Sequence, residues 1–240
     1  MARIKDDFSG FPKIYDIARW QVNCTVARIA GSLPAGTKLL DAGAGEGAYR
    51  KLFSHCEYRS IDMAVGEAQW DYSALDYVAP LDKMPIETGA FDAVLCTQVL
   101  EHLEKPRESV AEMFRVLRPG GVLYITVPMA QGEHQVPYDF FRYTSYGLKS
   151  ICSGAGFSEV KVSPLGGMPA RLAYELPALL NLFPPLRTYR NFFTAALVLF
   201  PLRTLAGLLV RGLQHFLLWA DRFDAQPVYP YGWAVTAIKK

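Results

Sequence analysis

Lys38-Leu39-Leu40-Asp41-Ala42-Gly43-Ala44-Gly45-Glu46-Gly47 decides how this 240-residue chain is read. A short apolar run that ends in a carboxylate and breaks into alternating glycines is a buried strand entering a tight turn, because glycine alone bends freely there. The following residues, Ala48-Tyr49-Arg50-Lys51-Leu52-Phe53, predict a helix. Strand, glycine turn and helix form the layout in which a phosphate or nucleoside sits. The turn fits G-x-G-x-x-[G/A], with Ala48 in the last place, and Asp62 follows about 20 residues on, where a ribose carboxylate is wanted. A nicotinamide-dependent oxidoreductase is therefore one reading.

Asp41 favours another. A carboxylate at the strand end repels a pyrophosphate and attracts an ammonium. S-adenosylmethionine carries an ammonium and no phosphate. Its ribose diol can donate two hydrogen bonds to Asp62, and Met63 offers an apolar neighbour for the adenine. Gly43, Gly45 and Gly47 would let the ligand approach the backbone.

Outward from this turn, apolar residues Ile14, Ile17, Ala18, Val22, Val26 and Ile29 recur at helical spacing before Gly31 and Pro34. Residues 58–61 and Phe91 to Cys96 read as strands. Pro106 opens a helix striped by Val110, Met113, Phe114 and Leu117, which Pro119-Gly120-Gly121 stops. Residues 122–127 make a buried strand, Thr144 or Ser145 caps a helix, and residues 157–162 return as a strand. The last strand is Gly232 to Ile238, expected beside the strand at 157–162. Parallel strands alternating with helices make an α/β sheet.

Three ordered blocks resemble the class I S-adenosylmethionine-dependent methyltransferases, in particular the group called methyltransferase type 11. They are Leu40 to Gly47, Phe91 to His102 (Phe-Asp-Ala-Val-Leu-Cys-Thr-Gln-Val-Leu-Glu-His) and Arg115 to Gly121 (Arg-Val-Leu-Arg-Pro-Gly-Gly). The resemblance covers residues 37–163 and the final strand. It implies a Rossmann-like seven-stranded sheet whose last strand is antiparallel. It also implies S-adenosylmethionine as cofactor, with Asp41 and Gly43 at the methionine end, Asp62 on the ribose, and Thr97 and Gln98 beside the sulfonium. One position departs from the family pattern: Pro80 stands where relatives place an adenine-contacting acid, so Leu81 and Asp82 are the substitutes.

Methyl transfer needs the acceptor held in line with the S–CH3 bond, and a base only where the nucleophile must lose a proton. The candidate cluster follows the fifth strand, outside the strand C-termini where open α/β sheets bind ligands. His134 would deprotonate an acceptor hydroxyl, Asp139 would orient it, and Tyr138 and Arg142 would hold the acceptor. His102 reads as a packing residue, and His55 and His215 have no partner by spacing.

Charge divides the chain. It has 25 Lys and Arg against 23 Asp and Glu, yet residues 165–220 hold five arginines and only Glu175. The remainder has 20 basic and 22 acidic residues, which gives no basic excess for nucleic acid. Residues 165–226 are thus an apolar helical insertion between the last two strands, and residues 1–164 with 227–240 are the cofactor-binding domain. Arg203 and Arg211 interrupt every apolar run of spanning length, so a transmembrane helix is disfavoured. Leu205, Leu208, Leu209, Leu213, Phe216 and Leu217 can share the opposite face, as in a helix lying at a membrane interface. Three roles compete for the insertion: a lid, a homodimer surface and a membrane attachment. A hydrophobic or lipid-linked small-molecule acceptor follows from the lid and membrane roles, and methylation on oxygen follows from the candidate base.

Cys24, Cys56, Cys96 and Cys152 form no CxxC pair and no metal-like spacing. With no apolar signal run at the start, the expected place is the cytoplasm, peripheral on the inner membrane face. A non-catalytic membrane-associated protein that keeps the fold is the reading from another class.

Overall fold

The computed structural model describes residues 16–66, 69–183 and 193–240, with side chains from residue 199 onward in the last segment. They fall into two compact units. The first holds Val22–Leu165 and Gly232–Lys240, and the second holds residues 16–21 and Gly166–Tyr231.

The first unit is built on one seven-stranded sheet in the order β3-β2-β1-β4-β5-β7-β6. Its strands are β1 (Lys38–Ala42), β2 (Glu57–Asp62), β3 (Tyr77–Val78), β4 (Phe91–Thr97), β5 (Leu117–Pro128), β6 (Glu159–Leu165) and β7 (Gly232–Ile238). Strands β1 to β5 pair in parallel, and β7 runs antiparallel to both neighbours. The helices α1 (Ile17–Ser32), α2 (Pro106–Val116) and α3 (Ser145–Gly154) form where helices were expected, although Ile14 lies outside the described residues, α1 runs past Gly31 and Leu117 belongs to β5; the Thr144 hydroxyl accepts from the Gly147 amide as the α3 cap.

Alternation along β1 sends Leu40 and Ala42 into one core cluster, with Val94, Cys96, Ile125 and Met113. Leu39 joins the other, with Val26, Phe53 and Leu95. A sheet buried on both faces requires this two-sided apolar pattern. Register pairs Leu165 with Gly232, so the insertion leaves and re-enters the sheet at one corner.

Two expectations need correcting. Residues 48–53 do not form an α-helix; only a 3-10 turn, Arg50–Phe53, fits before β2 begins at Glu57. The chain between glycine turn and strand is too short to nucleate more. Likewise Pro119-Gly120-Gly121 do not merely stop α2. They lie inside β5, where Gly120 and Gly121 exchange backbone hydrogen bonds with Lys239.

In the second unit, α4 (Met168–Glu175) contacts α5 (Phe193–Ala220). Asp221 accepts from the amides of Gly167 (2.9 Å) and Ala170 (3.0 Å), and Asp224 accepts from that of Met168 (3.0 Å). Together they cap α4 from far along the chain. Buried Gln214 donates to the Ala173 carbonyl (2.8 Å). One helix, α5, runs through Pro201 without a break. No described helix is long and apolar enough to cross a membrane. Arg187 and Arg190 lie outside the described residues.

Candidate active site

Where β1 ends, Gly43, Gly45 and Gly47 take φ values of +85°, +53° and +73°. Only glycine holds such a succession without strain. At Gly43 the side chain is excluded by packing rather than by room for a ligand, since an added Cβ would run into Val99. The amides of Gly43 and Ala44 donate to the Ile61 carbonyl (2.8 and 3.1 Å), which ties the turn to the end of β2.

Asp62 stands beside that tie. Its two carboxylate oxygens accept from Gly45 (3.0 Å) and Ala64 (2.8 Å) amides, one each. The carboxylate is therefore fixed in orientation, and each oxygen keeps a lone pair for a diol. Met63, its neighbour, is exposed. The remaining candidate on this side is Asp41, fully buried, which accepts from the Tyr58 hydroxyl. Burial is the main cause that raises the Asp41 pKa from 3.8 to about 6, against the pull of the Tyr58 hydrogen bond. The Arg50 guanidinium lies 4.7 Å from the Tyr58 ring and donates to Ser60, Ala74 and Asp76. Tyr58 and Arg50 are contributors that sequence reasoning missed, because only the β1–β2 pairing, in which Leu39 pairs with Tyr58, brings the Tyr58 hydroxyl to Asp41.

On the other side of β1, β4 ends in Thr97 and Gln98. The Thr97 hydroxyl is buried with no hydrogen-bond partner, and Gln98 adopts φ +54°, its side-chain amide reaching Thr126 at 3.3 Å. A buried orphan hydroxyl at a strand end is where a polar ligand group is wanted. Leu81 has its side chain in the core, so only its backbone is offered, and Asp82 pairs with Lys105 at 3.1 Å. The turn, the fixed Asp62 and the orphan Thr97 hydroxyl fit S-adenosylmethionine.

The loop after β5 is held by an ion pair. Arg142 grips both oxygens of Asp139 (2.7 and 2.8 Å) and donates to the carbonyls of Gln131 (3.0 Å) and Gly132 (3.0 Å). The guanidinium holds the Asp139 carboxyl well below the usual carboxylate range. Asp139 also accepts from the His134 amide (2.9 Å), which makes Asp139 and Arg142 the frame on which His134 is mounted. Tyr138 presents its backbone carbonyl to His102 Nδ1, and its side chain is exposed. The His102 and His134 rings meet edge to face at 4.7 Å. Close to both lies Glu101, fully buried, its backbone carbonyl accepting from Phe140 and Phe141. Burial pushes the Glu101 carboxyl up to about 8. His102, read from sequence as packing alone, thus belongs with His134.

The family model for a methyltransferase domain matches residues 40–125, from the end of β1 to β5. A probable S-adenosylmethionine-dependent methyltransferase of Mycolicibacterium smegmatis is 35% identical over 100 residues, 39% of each chain. A tRNA (carboxymethyluridine(34)-5-O)-methyltransferase of Arabidopsis thaliana is 32% identical over 121 residues, 48% of this chain and 29% of the relative. The chain thus spans well under half the length of these curated relatives. Among solved structures, a SAM-dependent methyltransferase from Archaeoglobus fulgidus superposes with a TM-score of 0.58 at 16% identity, over 98% of this chain and 100% of that one. Fold, family model and relatives coincide on the strands that carry the glycine turn: residues 40–125 match a methyltransferase domain, and the sheet around them has the class I fold of S-adenosylmethionine-dependent methyltransferases.

Proposed function

We propose that the whole chain transfers a methyl group from S-adenosylmethionine to an oxygen of a hydrophobic or lipid-linked small molecule. The observation that carries the cofactor half is Asp62, whose carboxylate is fixed at the glycine turn by Gly45 and Ala64 with lone pairs left over. When bound, the cofactor supplies the electrophilic methyl. The chain's own residues then bind the ribose at Asp62, meet the amino acid end between Asp41 and Thr97, and offer the acceptor the ring of His134 on its Asp139–Arg142 frame. Tyr138, whose side chain is exposed on the same loop, would hold the acceptor.

Calorimetric titration with S-adenosylhomocysteine and with NAD tests this half. S-adenosylhomocysteine should bind and NAD should not. Asp62→Ala should weaken the former by about 30-fold, roughly 2 kcal/mol, as expected for losing charged hydrogen-bond acceptors. NAD binding without S-adenosylhomocysteine would restore the oxidoreductase, and binding of neither would leave a non-catalytic relative of the fold.

The acceptor half rests on α5, where Leu205, Leu208, Leu209, Leu213 and Phe216 are all exposed, with Trp219 beyond them. So broad an apolar face suits lipid or a lipid-linked chain at the inner membrane surface. Arg203 is partly spent, since it donates to the Leu180 carbonyl at 3.1 Å. Although one relative is named for tRNA, 20 basic against 22 acidic residues outside 165–220 give this chain no matching electrostatic footprint. Flotation with anionic liposomes should carry the wild type upward and leave Leu208→Glu/Leu209→Glu behind; equal recovery of both would remove the membrane reading.

A further inference from the structure

Glu101 poses a question that methyl transfer leaves open. Both carboxylate oxygens are buried without a hydrogen-bond partner, in a residue with 0% exposure. A carboxylate in that setting is costly unless a proton or a cation satisfies it. Two imidazoles stand next to it. His102 Nε2 is 3.8 Å from Glu101 Oε1, and one ring nitrogen each of His102 and His134 lies with a Glu101 oxygen inside a 4.8 Å set.

We propose that Glu101, His102 and His134 bind one divalent first-row transition-metal ion. The orientation of the rings carries the inference. His102 Nδ1 faces the Tyr138 carbonyl, and His134 Nδ1 faces the Gly132 carbonyl at 3.1 Å. A ring that donates Nδ1–H to a backbone carbonyl keeps its Nε2 lone pair for a metal, which is how ligating histidines are normally held. Each carbonyl is itself positioned: Gly132 also accepts from Arg142, and Tyr138 donates its amide to the Gln135 carbonyl. Asp139 is the other carboxylate within reach of His134, at 3.4 Å, but both its oxygens are already engaged by Arg142.

The donor set selects the ion. Two imidazoles with one carboxylate suit Mn2+, Fe2+, Co2+ or Zn2+ rather than Mg2+ or Ca2+, which want oxygen shells. Ligands about 2.0–2.2 Å from such an ion lie roughly 3.0–3.5 Å apart, so side-chain rotations of about 1 Å close the set. Three protein ligands leave coordination positions open. Under the methyl-transfer reading, on which this one sentence rests, the ion would take over from His134 the task of acidifying an acceptor hydroxyl.

The test uses the chelator-treated full chain, without S-adenosylmethionine or acceptor, so its failure is separate from any failure of methyl transfer. Titration with Co2+, followed by its visible d–d absorption and reversed by Zn2+, should saturate at one equivalent. Glu101→Gln and His134→Ala should each weaken binding by at least about tenfold, and His55→Ala should leave it unchanged. His134 sits on a surface loop, so its variant remains decisive if Glu101→Gln fails to fold. Absence of Co2+ binding at 100-fold excess of ion over protein (~100-fold, enough to populate a weak site), or affinity unchanged in folded His134→Ala, would overturn the proposal.

Discussion

Replacing Gly43 by Ala should destabilise the first unit by about 3–4 kcal/mol and abolish S-adenosylhomocysteine binding at ordinary concentrations. Two costs add. At φ +85° an L-residue pays about 1–2 kcal/mol for the left-handed backbone. The new methyl also meets the Val99 side chain, and overpacking of that kind costs about 1–3 kcal/mol more. Domains of this size hold only about 5–15 kcal/mol in total, so the loss is visible in urea denaturation as a lower midpoint at constant slope. Val99→Ala on the Gly43→Ala background separates the two costs. It should restore the overpacking part, about 1–2 kcal/mol of coupling in a double-mutant cycle, and leave the backbone part. A cycle with no coupling would show that Val99 is not what the glycine accommodates. The turn would then owe its glycines to the backbone alone.

The Gly43–Val99 contact marks the limit of what sequence could say. Alternating glycines after an apolar strand announce a turn, since the local backbone requirement is written in the residues themselves. That the first glycine makes way for a residue after β4 depends on β4 lying beside β1, which is tertiary information. The same division runs through the chain. Gly232 to Ile238 was readable as the last strand, and its pairing with residues 157–162 was inferable because an insertion needs both ends at one place. α5 was not readable as one helix, because Pro201 signals a break that the surrounding helix-forming residues override. The helix predicted over residues 48–53 failed for the opposite reason: local pattern favoured it, but β2 starts too soon. Within the site, His134, Asp139 and Arg142 share one loop and were grouped by spacing. Glu101 and His102 sit on the loop after the neighbouring strand, and only the sheet order brings the two loops together.

Asp41→Asn should move stability and cofactor affinity in opposite directions, and pH should expose both. In the folded chain the Asp41 carboxyl titrates at about 6, above its ordinary 3.8, chiefly because it is buried. A raised carboxyl pKa means that the folded state resists ionisation. Wild-type stability therefore falls as pH rises from about 4 through 6, by an amount approaching about 3 kcal/mol. Asparagine keeps an acceptor for the Tyr58 hydroxyl and removes the charge. The variant should match the wild type near pH 4, where Asp41 is protonated, and exceed it above pH 7. Thermal midpoints across that range measure the divergence; a variant less stable at pH 8 than the wild type would mean that the carboxylate is stabilised by more than its Tyr58 bond. Affinity for S-adenosylhomocysteine should run the other way. If the ammonium is what Asp41 is buried to meet, the wild type should bind about tenfold or more tightly above pH 7 than at pH 5, where the carboxyl is mostly neutral. The variant should bind weakly and without that dependence. Equal affinity in both proteins at pH 8 would assign the buried carboxylate to Tyr58 and the strand end, and move the ammonium's partner to the Thr97 side of the turn.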